Sequence, residues 1–351
     1  MATSAAPAAQ PGVARDHGFH PLRVGRVVTE TAEAASFVLD VPAGLRAAFG
    51  YEAGQFLTFR VRVGGDVHHR CYSMSSAPGV DDEMQVTVKR VPGGVVSNWM
   101  IDTLGPGDAV EASVPAGVFR LGPGDDGDVV AFAAGSGITP VFSLLKAALA
   151  GTDRRVRLLY ANRDRDSVIF GADLDALAAR HPGRLEVAHR LDVEDGFVDA
   201  AAIGDFLADA DGAVAYVCGP EPFMDVVEGA LLSRGVAPDR IHIERFTPAA
   251  PPGEEDDEGP AQVTIELAGR TGTVEHHPGT TILQTARQMG MAPPFSCESG
   301  TCATCMAMLV EGTVKMHVND VLTDDEVAEG WVLTCQSVPT SPAVHVVYEG
   351  S

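Results

Sequence analysis

The polarity pattern changes character three times along the chain. Between residues 22 and 121, short segments alternate apolar and polar side chains, as in Phe56-Leu-Thr-Phe-Arg-Val-Arg-Val63 and Met84-Gln-Val-Thr-Val-Lys89, with Gly and Pro turns between them. A two-residue period places one face of a strand in a core, and repeated short strands of this kind predict an antiparallel β-barrel. Between residues 128 and 246, continuous apolar runs at 129–134, 156–160 and 213–218 alternate with helical stretches at 141–150, 173–180 and 221–234. Strands apolar on both faces need helices on both sides, which predicts a doubly wound parallel sheet. From residue 262 the pattern is mixed. Segments 263–267 and 272–275 read as a hairpin around Gly269, and 281–289 as a helix with Thr280 as N-cap and Gly290 past its end. Thr323-Asp-Asp-Glu326 has the form of a capping box that opens a short helix stopped by Gly330.

Two stretches fit none of these patterns. Residues 1–18 are rich in Ala and Pro without periodicity and read as a disordered tail. Around residues 247–261, Pro-Ala-Ala-Pro-Pro-Gly runs into Glu254, Glu255, Asp256, Asp257 and Glu258, which reads as an extended, self-repelling linker. The expected organisation is therefore a tail (1–18), a barrel (19–123), an α/β domain (124–246), a linker (247–261) and a small α+β domain (262–351).

Composition narrows the partners. Of 351 residues, 45% are hydrophobic and 21% charged, as in a soluble globular protein, and no apolar run reaches the roughly 18 residues of a membrane-spanning helix. The net charge of −23 argues against nucleic acid and against an anionic membrane surface, since both need clustered Lys and Arg. The first ten residues lack the basic and apolar regions of an export signal, and six cysteines in a chain of this length fit a reducing cytoplasm.

Four of those cysteines form one pattern: Cys297-Glu-Ser-Gly-Thr-Cys302-Ala-Thr-Cys305, then the distant Cys335. This is the plant-type spacing of a [2Fe–2S] cluster, which takes one electron at a time. Gly300 lets the backbone wrap the cluster closely. Structural zinc is the alternative, although zinc ribbons present paired CxxC knuckles rather than three ligands in one loop. Cys71 and Cys218 lie far from this loop in sequence and fall in other motifs.

Upstream, Arg70-Cys-Tyr72-Ser73 offers a cation, an aromatic face and a hydroxyl on one predicted strand. Pro92-Gly93-Gly94-Val-Val-Ser97 supplies backbone that can approach a pyrophosphate, then a helix start. Gly135-Ser-Gly137-Ile-Thr139-Pro140 follows a buried strand and opens a helix, and Cys218-Gly219-Pro220 ends the last long strand, where ligands gather in open α/β sheets. Taken singly, each of these is equally compatible with an ordinary turn or with packing.

Together, in this order and with the cysteine loop, they resemble the ferredoxin–NADP reductase superfamily. More narrowly, the chain resembles oxygenase reductase components with a C-terminal ferredoxin domain, such as those serving 3-ketosteroid 9α-hydroxylase and phenylacetyl-CoA epoxygenase. The resemblance implies an FAD-binding barrel, an NAD(P)H-binding α/β domain and a β-grasp ferredoxin domain. It implies Tyr72 stacked on the flavin, Ser73 near its N5, Arg70, Gly93, Gly94 and Ser97 on phosphate oxygens, and Val88, Arg90 and Phe246 lining the flavin site. For the pyridine nucleotide it implies Gly135, Gly137, Thr139, Pro140, Asn162, Arg163, Cys218, Gly219 and Pro220. Ser73, Cys218 and Glu244 are the residues it places at hydride transfer, and Cys297, Cys302, Cys305 and Cys335 the cluster ligands. Arg163 and Arg165 would suit a 2′-phosphate but Asp164 and Asp166 oppose it, so NADH is expected over NADPH.

The implied activity is electron transfer from NADH through FAD and the cluster to a terminal oxygenase, a Rieske enzyme or a di-iron CoA-ester epoxygenase. A stand-alone reductase of quinones or other small acceptors is the alternative. Residues 262–351 hold ten carboxylates against Arg270, Arg287 and Lys315, so a basic docking face is expected on the partner. The chain is expected to act as a cytoplasmic monomer.

Overall fold

The computed structural model describes residues 19–122, 127–207, 212–246, 261–295, 297–319 and 321–348. The expected tail, and the linker up to residue 260, lie outside them.

The first unit contains β1 (Phe19–Thr31), β2 (Ala34–Asp40), β3 (Phe56–Val63), β4 (Asp66–Ser73), β5 (Met84–Lys89), helix α1 (Val95–Thr103) and β6 (Ala109–Ser113). The strands form an antiparallel sheet in the order β4-β3-β6-β1-β2-β5, and a Met74–Val86 bridge joins the two ends into a barrel. Alternation decides which side chains fill it: Leu57, Phe59 and Val61 point inward with Leu22, Phe37, Val86 and Val88.

The second unit contains β7 (Val129–Ala134), α2 (Ile138–Gly151), β8 (Val156–Asn162), α3 (Gly171–Arg180), β9 (Leu185–Leu191), α4 (Asp192–Asp195), α5 (Ala200–Phe206), β10 (Val214–Cys218), α6 (Glu221–Ser233) and β11 (Ile241–Glu244). All strand pairs are parallel, in the order β11-β10-β7-β8-β9. Helix α2 is almost entirely buried because it lies between this sheet and the barrel. Ser143 on α2 donates to the Ser76 carbonyl at 2.6 Å and accepts from Gly54 N–H at 3.3 Å, while Lys146 pairs with Asp81. These bonds cross between the two units.

The third unit contains β12 (Gln262–Leu267), β13 (Arg270–Glu275), α7 (Ile282–Gln288), β14 (Met306–Glu311), β15 (Val314–Met316), α8 (Asp324–Ala328), β16 (Trp331–Leu333), β17 (Ser337–Pro339) and β18 (Ala343–Val347). Its mixed sheet runs β13-β12-β18-β14-β16, with β15 and β17 paired apart. Both short helices open on capping boxes. Thr323 and Glu326 cap α8 as expected, whereas α7 is capped by Thr281 with Gln284 rather than by Thr280. The Thr280 hydroxyl donates instead to the His277 carbonyl. Among the described residues no helix is long and apolar enough to cross a membrane.

Candidate functional site

The cysteine loop runs between α7 and β14. It turns through positive φ at Glu298, Gly300 and Ala303, and a Cβ at Gly300 would lie 2.6 Å from the Val318 carbonyl oxygen, so glycine alone lets the loop approach that strand-free segment. Ser299 N–H points at Cys297 Sγ (3.4 Å), Cys297 N–H points at Cys302 Sγ (3.5 Å), and Thr304 Oγ1 lies 3.2 Å from Cys302 Sγ. The four thiols form two pairs, Cys297 with Cys302 and Cys305 with Cys335. Two pairs of thiolates with amides turned toward them fit the two irons of a [2Fe–2S] cluster, each iron taking two cysteines. The paired neighbour and burial push both the Cys297 and Cys305 thiols up, so cations are needed to hold these sulfurs as thiolates.

The loop is braced from both sides. Arg287, in the last turn of α7, forks onto both Glu298 oxygens at 3.0 Å and lies 3.6 Å from the Phe295 ring centre. Gln336, next to the fourth cysteine, donates to the Glu298 carbonyl at 2.8 Å. Behind Cys305, Thr334 donates to the Cys305 carbonyl and accepts from the buried Tyr348 hydroxyl, each at 2.8 Å.

On the barrel, Arg70, Tyr72 and Ser73 occupy the C-terminal half of β4. Ser73 is buried, Tyr72 packs against Phe59 and burial pushes its phenol up, and Arg70 stays exposed with one nitrogen donating to the His69 carbonyl. Gly94 is the N-cap of α1 and offers no side chain to its free amides, an anion-ready helix start. The buried Ser97 hydroxyl accepts from Val91 N–H and holds the turn in place. Of the other expected flavin residues, Val88 has its side chain inside the barrel core, and Arg90 pairs with Asp102 on α1. Val88 can therefore meet a ligand only through its backbone. Phe246 is half exposed just beyond β11.

In the α/β unit, the C-terminal ends of β7, β8, β10 and β11 meet. Cys218 stands opposite Ala133 and Glu244 in the parallel register. Burial, reinforced by Glu244, pushes the Cys218 thiol well up, so it stays neutral. A Cβ at Gly137 would lie 2.1 Å from the Cys218 carbonyl oxygen, so only glycine lets the 135–140 loop touch the end of β10. Thr139 donates to the Ser136 carbonyl and Pro140 sits in the first turn of α2. Gly219 and Pro220 lead into α6. Asn162 is buried at the end of β8 beside the Tyr160 hydroxyl, and its amide makes no well-formed hydrogen bond. Arg163 Nε pairs with Asp164 at 2.8 Å.

Two residues of this site are not marked by any sequence motif. Tyr160 donates to the Gly135 carbonyl at 3.1 Å and accepts from Ile169 N–H at 3.2 Å, fixing the glycine loop from beneath. Lys89 ends β5 with its Nζ 3.2 Å from where a Gly135 Cβ would stand, and burial followed by Arg163 pushes its pKa down. A signal for it exists, since alternation along β5 sends Lys89 to the face opposite Val88. Cys71 also differs from expectation. Distant from the cysteine loop in sequence, it packs against that loop across the barrel surface with Phe56 and Ala116.

Three family models match the chain in order. Residues 21–121 match the family described as Oxidoreductase FAD-binding domain, 132–229 the Oxidoreductase NAD-binding domain, and 265–340 the 2Fe-2S iron-sulfur cluster binding domain. The chain is 41% identical over 344 residues to the 3-ketosteroid-9-alpha-monooxygenase, ferredoxin reductase component of Mycolicibacterium smegmatis, covering 93% of this chain and 96% of that protein. It is 32% identical to a component of the 1,2-phenylacetyl-CoA epoxidase of Escherichia coli, covering 94% and 98%. Among solved structures it is similar to phthalate dioxygenase reductase, described as a modular structure for electron transfer from pyridine nucleotides to [2Fe-2S], with a TM-score of 0.60, 27% identity and coverage of 94% and 98%. With three domains matched in order and relatives aligned nearly end to end, the chain belongs to the family of oxygenase reductase components that join FAD-binding, NAD-binding and [2Fe–2S] domains in one polypeptide.

Proposed function

We propose that this chain passes electrons from NADH to the terminal oxygenase of a 3-ketosteroid hydroxylating system. The observation that carries the electron route is the packing of the cysteine loop on the barrel strand that bears Arg70, Tyr72 and Ser73. When bound, FAD would supply hydride acceptance from NADH and the [2Fe–2S] cluster would supply single-electron transfer toward a protein acceptor. The chain's own residues position these groups. Tyr72 and Ser73 would hold the flavin ring, and Arg70, Gly93, Gly94 and Ser97 its phosphates. Gly135, Gly137, Thr139, Pro140 and Asn162 would receive the nucleotide. The neutral, buried Cys218 shapes the hydride-transfer pocket without acting as a nucleophile, with Glu244 beside it. Preference for NADH is supported by the Arg163–Asp164 pair, which occupies the guanidinium that a 2′-phosphate would need.

The 41% identity to a steroid-system reductase over 93% of the chain supports the steroid assignment, and the 32% identity to the epoxidase component supports a di-iron oxygenase as the second reading. The excess of carboxylates in the sequence of residues 262–351 supports a basic docking face on the partner. Anaerobic titration of the purified protein with NADH, followed by visible absorption and EPR, tests the route: flavin bleaching and a reduced-cluster signal are expected, and a colourless, zinc-containing protein would overturn it. Reconstitution with a steroid oxygenase and with a di-iron epoxygenase distinguishes the partners. Electron delivery should slow severalfold between about 50 and 300 mM salt while NADH–dye activity holds steady.

A further inference from the structure

The seam between the barrel and the third unit is apolar and contains one additional sulfur. Phe56, Cys71 and Ala116 of the barrel pack with Leu283, Val321 and Leu322 around Cys302, Cys305 and Cys335. Within it, Cys71 packs beside Cys302. Strand geometry explains why Cys71 reaches this position. In the β3–β4 register Cys71 stands opposite Thr58, while Tyr72 stands opposite Leu57 and Arg70 opposite Phe59. The two-residue period turns Tyr72 with Leu57 and Phe59 to one face of β4 and Cys71 with Thr58 to the other. Thr58 is buried, and its Oγ1 lies 3.4 Å from Cys71 Sγ, so it fixes that side chain.

A cluster ligand is a thiolate and only accepts hydrogen bonds, so the proton on this contact belongs to Cys71. We infer that Cys71 is a positioning residue for electron transfer: its S–H donates to the Cys302 sulfur across the seam, docking the cluster loop on the barrel and raising the reduction potential of the cluster. Hydrogen bonds to cluster sulfurs stabilise the more negative, reduced state, and an apolar seam strengthens them. Tyr72, the proposed flavin contact, is the next residue in the chain, so one peptide unit separates the two faces. The inference rests on the four cysteines holding the cluster, which the wild-type visible and EPR spectra report independently of Cys71.

The test is an EPR-monitored redox titration of the full chain with its cofactors, comparing wild type, Cys71→Ala, Cys71→Ser and Thr58→Val. Cys71→Ala should shift the cluster potential to more negative values. Cys71→Ser, which keeps a donor, should restore most of the shift, and Thr58→Val should move it in the same direction by less. The flavin potential should be the same in all four. A wild-type cluster potential in Cys71→Ala, or equal shifts in Cys71→Ala and Cys71→Ser, would overturn the inference.

Discussion

Arg287 grips both carboxylate oxygens of Glu298 at 3.0 Å, joining the last turn of α7 to the residue that follows the first cluster cysteine. Glu298 is also one of the non-glycine residues held at positive φ, a backbone cost that the bidentate pair offsets. Both side chains are mostly buried, so the pair should contribute more than a surface ion pair. Arg287→Ala should lower stability by about 1–2 kcal/mol and reduce the iron retained per chain. Calorimetry and iron analysis check this, and unchanged iron content would assign the pair a role in folding alone.

With Cys297 beside Cys302 and Cys305 beside Cys335, each proposed iron would lose one of its two ligands when a single cysteine is replaced. Cys302→Ser should therefore keep NADH reduction of the flavin and of small dyes, since the nucleotide and flavin residues lie in the other two units. Transfer to the oxygenase should fall at least tenfold. Stopped-flow flavin reduction alongside oxygenase turnover separates the two steps.

Arg163 is held by Asp164, which the backbone N–H of Ser167 also binds as the cap of the next turn. Asp164→Asn should release the guanidinium while keeping that cap. The ratio of kcat/KM for NADPH to that for NADH should rise about tenfold, equivalent to about 1.4 kcal/mol. An unchanged ratio would mean that the ribose of the nucleotide binds away from the end of β8.

His69, packed 5.3 Å from the Phe19 ring, gives the barrel a pH dependence. Burial, then Arg60, Arg70 and His68, pushes its pKa down to about 4, below its usual value of 6.5. Between those values the unfolded chain binds the proton more readily, so stability is full above about pH 6.5 and is lost as the pH falls toward 4, by on the order of 1–2 kcal/mol. His69→Gln should remove that part of the acid sensitivity. Urea unfolding of both proteins at pH 7 and pH 4.5 measures it, and parallel losses would locate the sensitivity elsewhere.

Elements with strong local signals are legible in the sequence. The alternation in residues 56–63 and 84–89 and the apolar run 129–134 form β3, β5 and β7 with the expected ends. Helix α2 begins three residues before the helical stretch expected from residue 141, taking in Ile138, Thr139 and Pro140 of the glycine loop that opens it, with proline in the first turn. Strand β9 carries no clear signal: Leu-Glu-Val-Ala-His-Arg-Leu is a sheet-edge sequence of mixed polarity, and only its pairing with β8 makes it a strand. Thr280 and Thr281 both satisfy the capping rule, and the choice between them depends on which hydroxyl Gln284 N–H can reach.

The sequence by itself determined the order of three domains, the cysteine loop and the glycine loops, because spacing and periodicity are short-range properties of a chain. The tertiary structure decided which thiols pair, that Asp164 occupies Arg163, that Tyr160 supports the glycine loop with Lys89 beside it, and that Cys71 lies against Cys302. Those relationships depend on side-chain geometry and on packing between separately folded units, and no local pattern encodes a contact that forms only when two surfaces meet.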